Sequence, residues 1–194
     1  PTTLRWTAVS VRKCSGQPLD SNDAAAHAAL GFAHLARREL AKAIRQFEFA
    51  IELNPSSHTS NSHLGAALAW SGRAAEAVPW LETAIKLSPR DPLLGPAYAR
   101  LAEAQMFLDD FEQAASLAER AVSSTPVGIW GYAVHAAALG HLDRKSEMEE
   151  ATSALLGKNP NFSCAHLTEN LPLADEQYRE IYLEGLRKAG VPEG

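Results

Sequence analysis

Apolar residues recur at intervals of three and four along most of the chain, and short polar, Gly or Pro breaks separate the runs. Between residues 40 and 53, Leu40, Ile44, Phe47 and Ile51 form one apolar stripe, which is the pattern of an amphipathic helix. The pattern therefore predicts an all-α fold. The expected helices span residues 24–37, 40–53, 58–70, 73–87, 97–107, 111–123, 127–139, 143–156, 162–171 and 175–189.

A proline that ends a helix returns at a nearly constant interval. Pro55, Pro89, Pro126 and Pro160 are separated by 34, 37 and 34 residues. A fixed period of this length, with one pair of helices in each copy, is typical of a solenoid whose units contact mainly their neighbours. We predict helical hairpins at residues 24–57, 58–91, 92–126 and 127–160, C-terminal capping helices at 161–194, and at 1–23 a flank that looks like the last helix of a preceding unit.

Small residues occupy matching places in successive copies. Gly31, Gly65 and Ala102 align where the two helices of a hairpin cross, and the other aligned positions are Ala43, Ala77, Ala114, Phe47, Leu81, Ala50, Ala84 and Ala121. In these positions residues 24–160 resemble the tetratricopeptide repeat family. The resemblance implies an α-solenoid, a right-handed superhelix of helix–turn–helix hairpins, and a non-catalytic module that binds a protein or peptide partner.

The resemblance also implies that the first helix of each hairpin lines a concave groove. Aromatic and Arg side chains at the centre of a concave patch are the residue types that dominate binding energy. A peptide or helix with an apolar face would fit this groove. An alternative is that Trp70 and Trp130 simply pack between neighbouring hairpins. The expected groove residues are Phe32, Leu35, Ser62, His63, Ala66, Trp70, Arg100, Glu103, Phe107 and Trp130.

A second, narrower resemblance is to the C-terminal repeat regions of bacterial class III adenylate/guanylate cyclase-like proteins and of some winged-helix regulators. It is carried by residues 87–92, 159–163 and 183–193. This resemblance implies a regulatory part of a larger bacterial signalling protein, with the catalytic part upstream. Residues 1–194 contain no nucleophile motif and no Gly-rich phosphate loop, so we expect no enzyme activity from them.

Composition narrows the classes of partner. The net charge of −5 and the pI near 5.8 argue against nucleic acid, because phosphate binding needs a basic surface. No run reaches the roughly 18–20 apolar residues that a membrane-spanning helix requires. Cys14 and Cys164 lie 150 residues apart and match no metal or disulfide framework. Two isolated thiols without a signal peptide favour the cytoplasm.

The seven histidines suggest a metal site, but their spacing argues against one. His27 and His34 are two helical turns apart, which is about 10 Å along the axis and too far to share an ion. We therefore expect neither a metal nor a cofactor.

Three alternatives remain open at the level of the sequence. The chain could instead be a structural element that forms a homodimer, or a fragment of a nucleotide cyclase that retains activity. The C-terminal tail could also turn back, with Phe162, Leu167 and Leu171 in the groove as a pseudo-ligand.

Overall fold

The computed structural model describes residues 23–89, 94–124 and 127–194, and the expected flank at 1–23 lies outside them except for Asp23. The described residues form helices and connecting turns, with no strand among them, so the predicted all-α class is confirmed. The helices are α1 (Ala24–Ala36), α2 (Leu40–Leu53), α3 (His58–Trp70), α4 (Ala74–Leu87), α5 (Leu94–Met106), α6 (Phe111–Val122), α7 (Ile129–Leu142), α8 (Lys145–Lys158), α9 (Cys164–Asn170) and α10 (Glu176–Lys188).

Two predicted helix boundaries differ from the observed ones by three residues, and the others differ by at most two. Helix α5 begins at Leu94 rather than at residue 97, and Pro96 is tolerated there because the N–H groups of a first helical turn have no intrahelical acceptor. Helix α7 continues through Gly140 to Leu142 instead of ending before the glycine. It ends at Asp143, whose φ of 54° is left-handed.

One backbone feature recurs in the turn inside each hairpin. The residues with positive φ in these turns are Arg38 (59°), Gly72 (89°), Asp109 (61°) and Asp143 (54°). Their separations follow the spacing of the helix-ending prolines. Because Asp143, not Gly140, is the counterpart of Gly72, the fourth hairpin keeps the same turn-to-proline distance as the second.

Two features favour the hairpins: N-cap side chains at the starts of helices, and small residues where the two helices of a hairpin cross. Within the described ranges, five helices begin after a capping side chain that accepts a backbone N–H bond, and each such cap contributes on the order of 1 kcal/mol. These caps are Asp23, Ser57, Asp110, Ser163 and Asp175. At the crossings, a Cβ on Gly31 would lie 2.6 Å from the Phe47 ring, and one on Gly65 would lie 2.5 Å from Leu81.

The hairpins pack in chain order, which makes the protein an α-solenoid. Each first helix (α1, α3, α5, α7) packs on its own second helix (α2, α4, α6, α8), and each of α2, α4 and α6 packs on the first helix of the following hairpin. The first helices α3, α5 and α7 also contact one another in succession. The core is built largely from Ala and Leu at these interfaces. None of the helices in the described ranges is long and apolar enough to cross a membrane.

The C-terminal helices do not follow this order. Helix α10 packs mainly on α7, the first helix of the last hairpin, rather than simply extending the stack. Its outward face is polar and exposed, as expected for a cap, whereas Tyr182, Leu183 and Leu186 are buried. The C-terminal segment, which we define as residues 161–194, therefore lies on the same surface as the expected groove.

Candidate functional site on the inner surface

We define the inner surface as the face formed by α1, α3, α5 and α7 and the residues that directly follow them. All ten expected groove residues lie on these elements. They fall into an N-terminal group (Phe32, Ser62, His63, Arg100), a middle group (Trp70, Glu103, Phe107) and Trp130 at the start of α7. Leu35 and Ala66 stand apart from these groups, since Leu35 packs partly buried against the core and Ala66 is buried within α3.

The N-terminal group joins an aromatic contact to a half-buried cation. The Phe32 ring meets His63 edge-on at 4.3 Å, and 39% of Phe32 remains exposed. Arg100 donates from Nη1 to Ser62 Oγ at 2.8 Å and from Nη2 to His63 Nε2 at 2.9 Å. A carbonyl can only accept, so His63 Nδ1 donates to the Thr59 carbonyl at 2.7 Å, which leaves Nε2 as the acceptor for Arg100.

The charges in this group follow from its burial. Desolvation, followed by the neighbouring Arg100 cation, holds the pKa of His63 well below its usual value, so the ring is neutral. Burial lowers the pKa of Arg100 to about 10, while Glu103 acts in the opposite direction. Arg100 is thus a cation at neutral pH whose two side-chain hydrogen bonds both go to neutral acceptors.

The middle group is centred on a buried carboxyl. Glu103 is 3% exposed, and its Oε2 accepts a hydrogen bond from Trp70 Nε1 at 3.2 Å. Its Oε1 accepts a longer bond of 3.5 Å from the Tyr182 hydroxyl of α10. Burial raises the pKa of Glu103 to about 7, although the bonds from Trp70 and Tyr182 and the Arg100 charge oppose this shift. Burial also raises the pKa of Tyr182 well above its usual value.

The C-terminal segment covers this middle group. The Tyr178 ring stacks on Phe107 with centroids 4.6 Å apart and an interplanar angle of 8°. Tyr182 meets the same Phe107 ring edge-on at 6.3 Å. The Ala174 N–H donates to the Trp70 carbonyl at 2.8 Å, which fixes the start of α10 beside the end of α3. Trp70 and Phe107 therefore face the protein's own C-terminal segment.

Helix α10 then crosses α7 at backbone contact. A Cβ on Gly140 would overlap the Gly185 carbonyl, and a Cβ on Gly185 would overlap the Ala137 carbonyl. His141 Nε2 donates to the Ile181 carbonyl at 2.7 Å in the same crossing. Only glycine permits two helices to approach this closely.

The remainder of the segment reaches the outer hairpins. The Trp130 ring packs against the rings of Phe162 and His166, with centroid distances of 6.0 and 5.9 Å. At the opposite end of the solenoid, the Arg38 guanidinium donates to the Glu169 carbonyl. Contacts from the C-terminal segment consequently extend to all four hairpins.

The tail hypothesis named Phe162, Leu167 and Leu171 as the side chains that meet the expected groove. Phe162 does lie against Trp130, and Leu167 and Leu171 are buried, but the side chains that meet the middle group are Tyr178 and Tyr182. The missed signal was the spacing of Tyr178, Tyr182 and Gly185 within the last helix. Positions i, i+4 and i+7 share one helical face.

Part of the inner surface remains open beside this cover. A cavity of about 320 Å³ lies between α1 and α3, with one apolar wall of α1 alanines and Phe32. The polar wall is formed by Asn54, Ser57, Thr59 and Ser60. A depression of about 530 Å³ on α8 is lined by serine, glutamate and alanine and is remote from these groups. Within the described ranges, no three His, Cys, Asp or Glu side chains are grouped so as to hold a metal.

Sequence and structure comparisons agree on the architecture. Tetratricopeptide repeat profiles match residues 28–92 and 95–127, which together make up about half of the chain. Comparison with curated proteins finds no match. The solved structure of MamA (residues 41 to the end) from Desulfovibrio magneticus RS-1 is similar at 20% identity and a TM-score of 0.61, covering 72% of this chain and 77% of that one.

The structure of YrrB, described as "a TPR protein with an unusual peptide-binding site", is similar at 19% identity and a TM-score of 0.59. It covers 94% of this chain and 89% of YrrB. At these identities the similarity concerns the fold, and it agrees with the α-solenoid described above. Two family profiles and the repeated hairpins together show that the chain belongs to the tetratricopeptide repeat family of protein-interaction modules.

Proposed function

We propose that the protein binds a peptide or helix of a partner protein on its inner surface, and that it acts by binding rather than by catalysis. The observation that carries the proposal is that this surface already holds a helix. Helix α10 presents Tyr178 and Tyr182 to Phe107 and Glu103 of the third hairpin. A surface that accommodates one helix in this way has the shape and chemistry to accommodate another.

The open part of the inner surface supports the same proposal. Phe32 is partly exposed on the wall of the cavity between α1 and α3. Its ring contacts His63, which in turn accepts a hydrogen bond from Arg100. This group therefore offers an accessible aromatic ring and, one residue further in, an arginine, a residue type that is enriched at the centre of binding sites. We infer that a partner first contacts the protein at this N-terminal group.

A role within a larger bacterial signalling protein is inferred from the resemblance to cyclase-like proteins alone. The similarity to cyclase-like proteins suggests the regulatory part of a larger bacterial signalling protein in the cytoplasm, and none of the comparisons addresses that setting. The proposed binding site does not depend on it. YrrB, as its description states, has a peptide-binding site, which is consistent with peptide binding by a fold of this kind.

The test works without an identified partner. Helical peptides would be selected from a displayed library against the intact protein, and their affinities would then be measured for Phe32→Ala and Phe49→Ala variants. Phe49 is the matched control because it is an exposed phenylalanine on α2, a second helix, where 48% of it is accessible. We expect Phe32→Ala to weaken binding on the order of tenfold and Phe49→Ala to change it less than about twofold.

Hydrogen exchange would locate the bound peptide independently. Protection on α1, α3 and α5 is expected. Protection confined to α2, α4 and α6, together with equal affinities for the two phenylalanine variants, would refute the proposed site.

A further inference from the structure

We propose that α10 is an intramolecular ligand of the inner surface, and that the partner is an amphipathic helix that presents the same three features, Tyr-x-x-x-Tyr-x-x-Gly, in place of α10. This inference rests on the proposed function and adds to it the chemistry of the partner and a mechanism of regulation. The three residues of α10 that define the pattern are Tyr178, Tyr182 and Gly185.

Each of the three residues meets a different feature of the surface. Tyr178 stacks on the Phe107 ring, Tyr182 directs its hydroxyl to Glu103, and Gly185 lies against the backbone of α7. The spacing of four and then three residues places all three on one side of a helix. The match is therefore with a helix in one register, and not with apolar surface in general.

Each feature also restricts what can replace α10. A stack with an interplanar angle of 8° on Phe107 requires a flat ring. A buried carboxyl such as Glu103 is costly unless its oxygens are hydrogen-bonded, so the second ring has to carry a donor, as a tyrosine does and a phenylalanine does not. The Ala137 carbonyl of α7 leaves no space for a Cβ at the Gly185 position of the incoming helix.

Helix α10 carries its own local stabilisation, which suits a segment that leaves the surface. Asp175 caps its first turn by accepting the Tyr178 N–H at 3.0 Å. On its exposed face, Lys188 pairs with Glu184 at 2.7 Å and Arg187 pairs with Glu180 at 2.6 Å. Such caps and pairs stabilise an isolated helix modestly, so α10 keeps part of its helicity after release.

The solenoid itself does not need α10 for its internal interfaces. The contacts within each hairpin and between successive hairpins are made by α1 to α8 alone. In a solenoid, stability is approximately a sum of such nearest-neighbour terms. Release of α10 therefore uncovers Trp70, Glu103 and Phe107, while the packing within and between the hairpins is retained.

A tethered competitor changes the affinity that a partner experiences. A segment joined by a short linker acts at an effective concentration in the mM range. A partner that needs the uncovered surface binds with an apparent dissociation constant equal to the intrinsic one divided by the fraction of molecules in which α10 is undocked. Weakening α10 should therefore tighten the binding of the partner helix.

The experiment uses the intact protein and a labelled synthetic peptide that comprises residues 174–190. Its affinity is measured for the wild type, for Tyr178→Ala, and for Gly157→Ala as a control at a glycine with open space around it. Tyr178→Ala removes one partly exposed stacking contact, so the peptide should bind roughly three- to tenfold more tightly to this variant. The Gly157→Ala protein should match the wild type. A peptide with Tyr182→Phe should bind more weakly than the parent peptide to every protein.

The contrary outcomes separate this inference from the proposed function. Equal affinity of the peptide for all three proteins, with library-selected helices still bound on the inner surface, would overturn the inference and leave the function standing. Loss of the helical circular dichroism of the whole chain in Tyr178→Ala would show that α10 is an integral part of the fold, and would also overturn it. If no peptide protects the inner surface even in a folded Tyr178→Ala protein, the proposed function itself fails.

Discussion

Gly140 of α7 and Gly185 of α10 face each other where the two helices cross, and a side chain on either would overlap the backbone of the opposite helix. This contact sets how closely α10 approaches the inner surface. It also places Tyr182 within reach of Glu103, because three residues separate Tyr182 from Gly185 along the same face.

Replacement of Gly185 by alanine should separate the two helices. The new Cβ would overlap the Ala137 carbonyl, and overpacking of this kind typically costs about 1–3 kcal/mol. Hydrogen exchange should therefore speed up in α10 while α1 to α4 stay protected. The matched control is Gly157→Ala on α8, which has open space and should gain up to about 1 kcal/mol of helix propensity. Unchanged exchange in α10 of the Gly185→Ala protein would contradict the crossing described here.

Glu103 should make stability depend on pH. Burial raises its pKa to about 7 from an ordinary 4.5, so the folded protein holds this proton more tightly than the unfolded chain does. The contribution is therefore fully present below about pH 4.5 and is lost as pH rises towards 7. A shift of this size corresponds to about 3 kcal/mol.

The Glu103→Gln variant isolates that effect. Glutamine keeps a side-chain oxygen that can accept the bond from Trp70 Nε1 but does not titrate. Denaturant unfolding of both proteins would be measured at pH 5, 6, 7 and 8. Between pH 5 and 7 the free energy of unfolding of the wild type should fall relative to that of the variant. Above pH 7 the difference between the two should stay constant. Parallel profiles would mean that this carboxyl does not titrate in that range.

Asp143→Gly should stabilise the protein. Asp143 has a φ of 54°, and a left-handed residue with a Cβ costs roughly 1 kcal/mol relative to glycine. Gly72, in the equivalent turn, shows that glycine fits this position. A gain of that size raises the thermal midpoint by about 2–4 °C for a chain of this length. The reverse change, Gly72→Ala, should lower the midpoint, and an unchanged midpoint for both variants would argue that these turns are unstrained.

These turns also show which helix boundaries could be predicted from the sequence. The repeated prolines and small residues predicted most helices closely; α2, for instance, begins at Leu40 and ends at Leu53 as expected. Gly140 was wrongly assigned to a turn because a glycine that serves close helix packing looks the same in a sequence as one that serves a left-handed turn. Only the contact with Gly185 distinguishes the two roles.

The candidate site was only partly predictable for a related reason. Trp70 and Phe107 could be assigned to the first helices of their hairpins, which the family resemblance implies to line the groove. Tyr178 and Tyr182 lie beyond the last repeat, where no periodicity assigns a register. Their positions depend on long-range contacts with Phe107 and Glu103, which no local pattern encodes.

The protein should be a monomer at micromolar concentration. In a homodimer built on the inner surface, a second copy would have to cover Trp70 and Phe107, but the C-terminal segment already does so within one chain. Multi-angle light scattering at several concentrations measures the mass directly.

The mass of the Gly185→Ala variant should be compared with that of the wild type in the same light-scattering measurement. Undocking of α10 exposes its buried Tyr182 and Leu186 together with the surface that they covered, and contiguous apolar surface of this kind promotes association. Its mean mass should therefore rise with concentration while that of the wild type and of Gly157→Ala stays constant. A wild-type dimer whose mass is insensitive to Gly185→Ala would favour the homodimer alternative, because an interface away from α10 would then hold the two copies together.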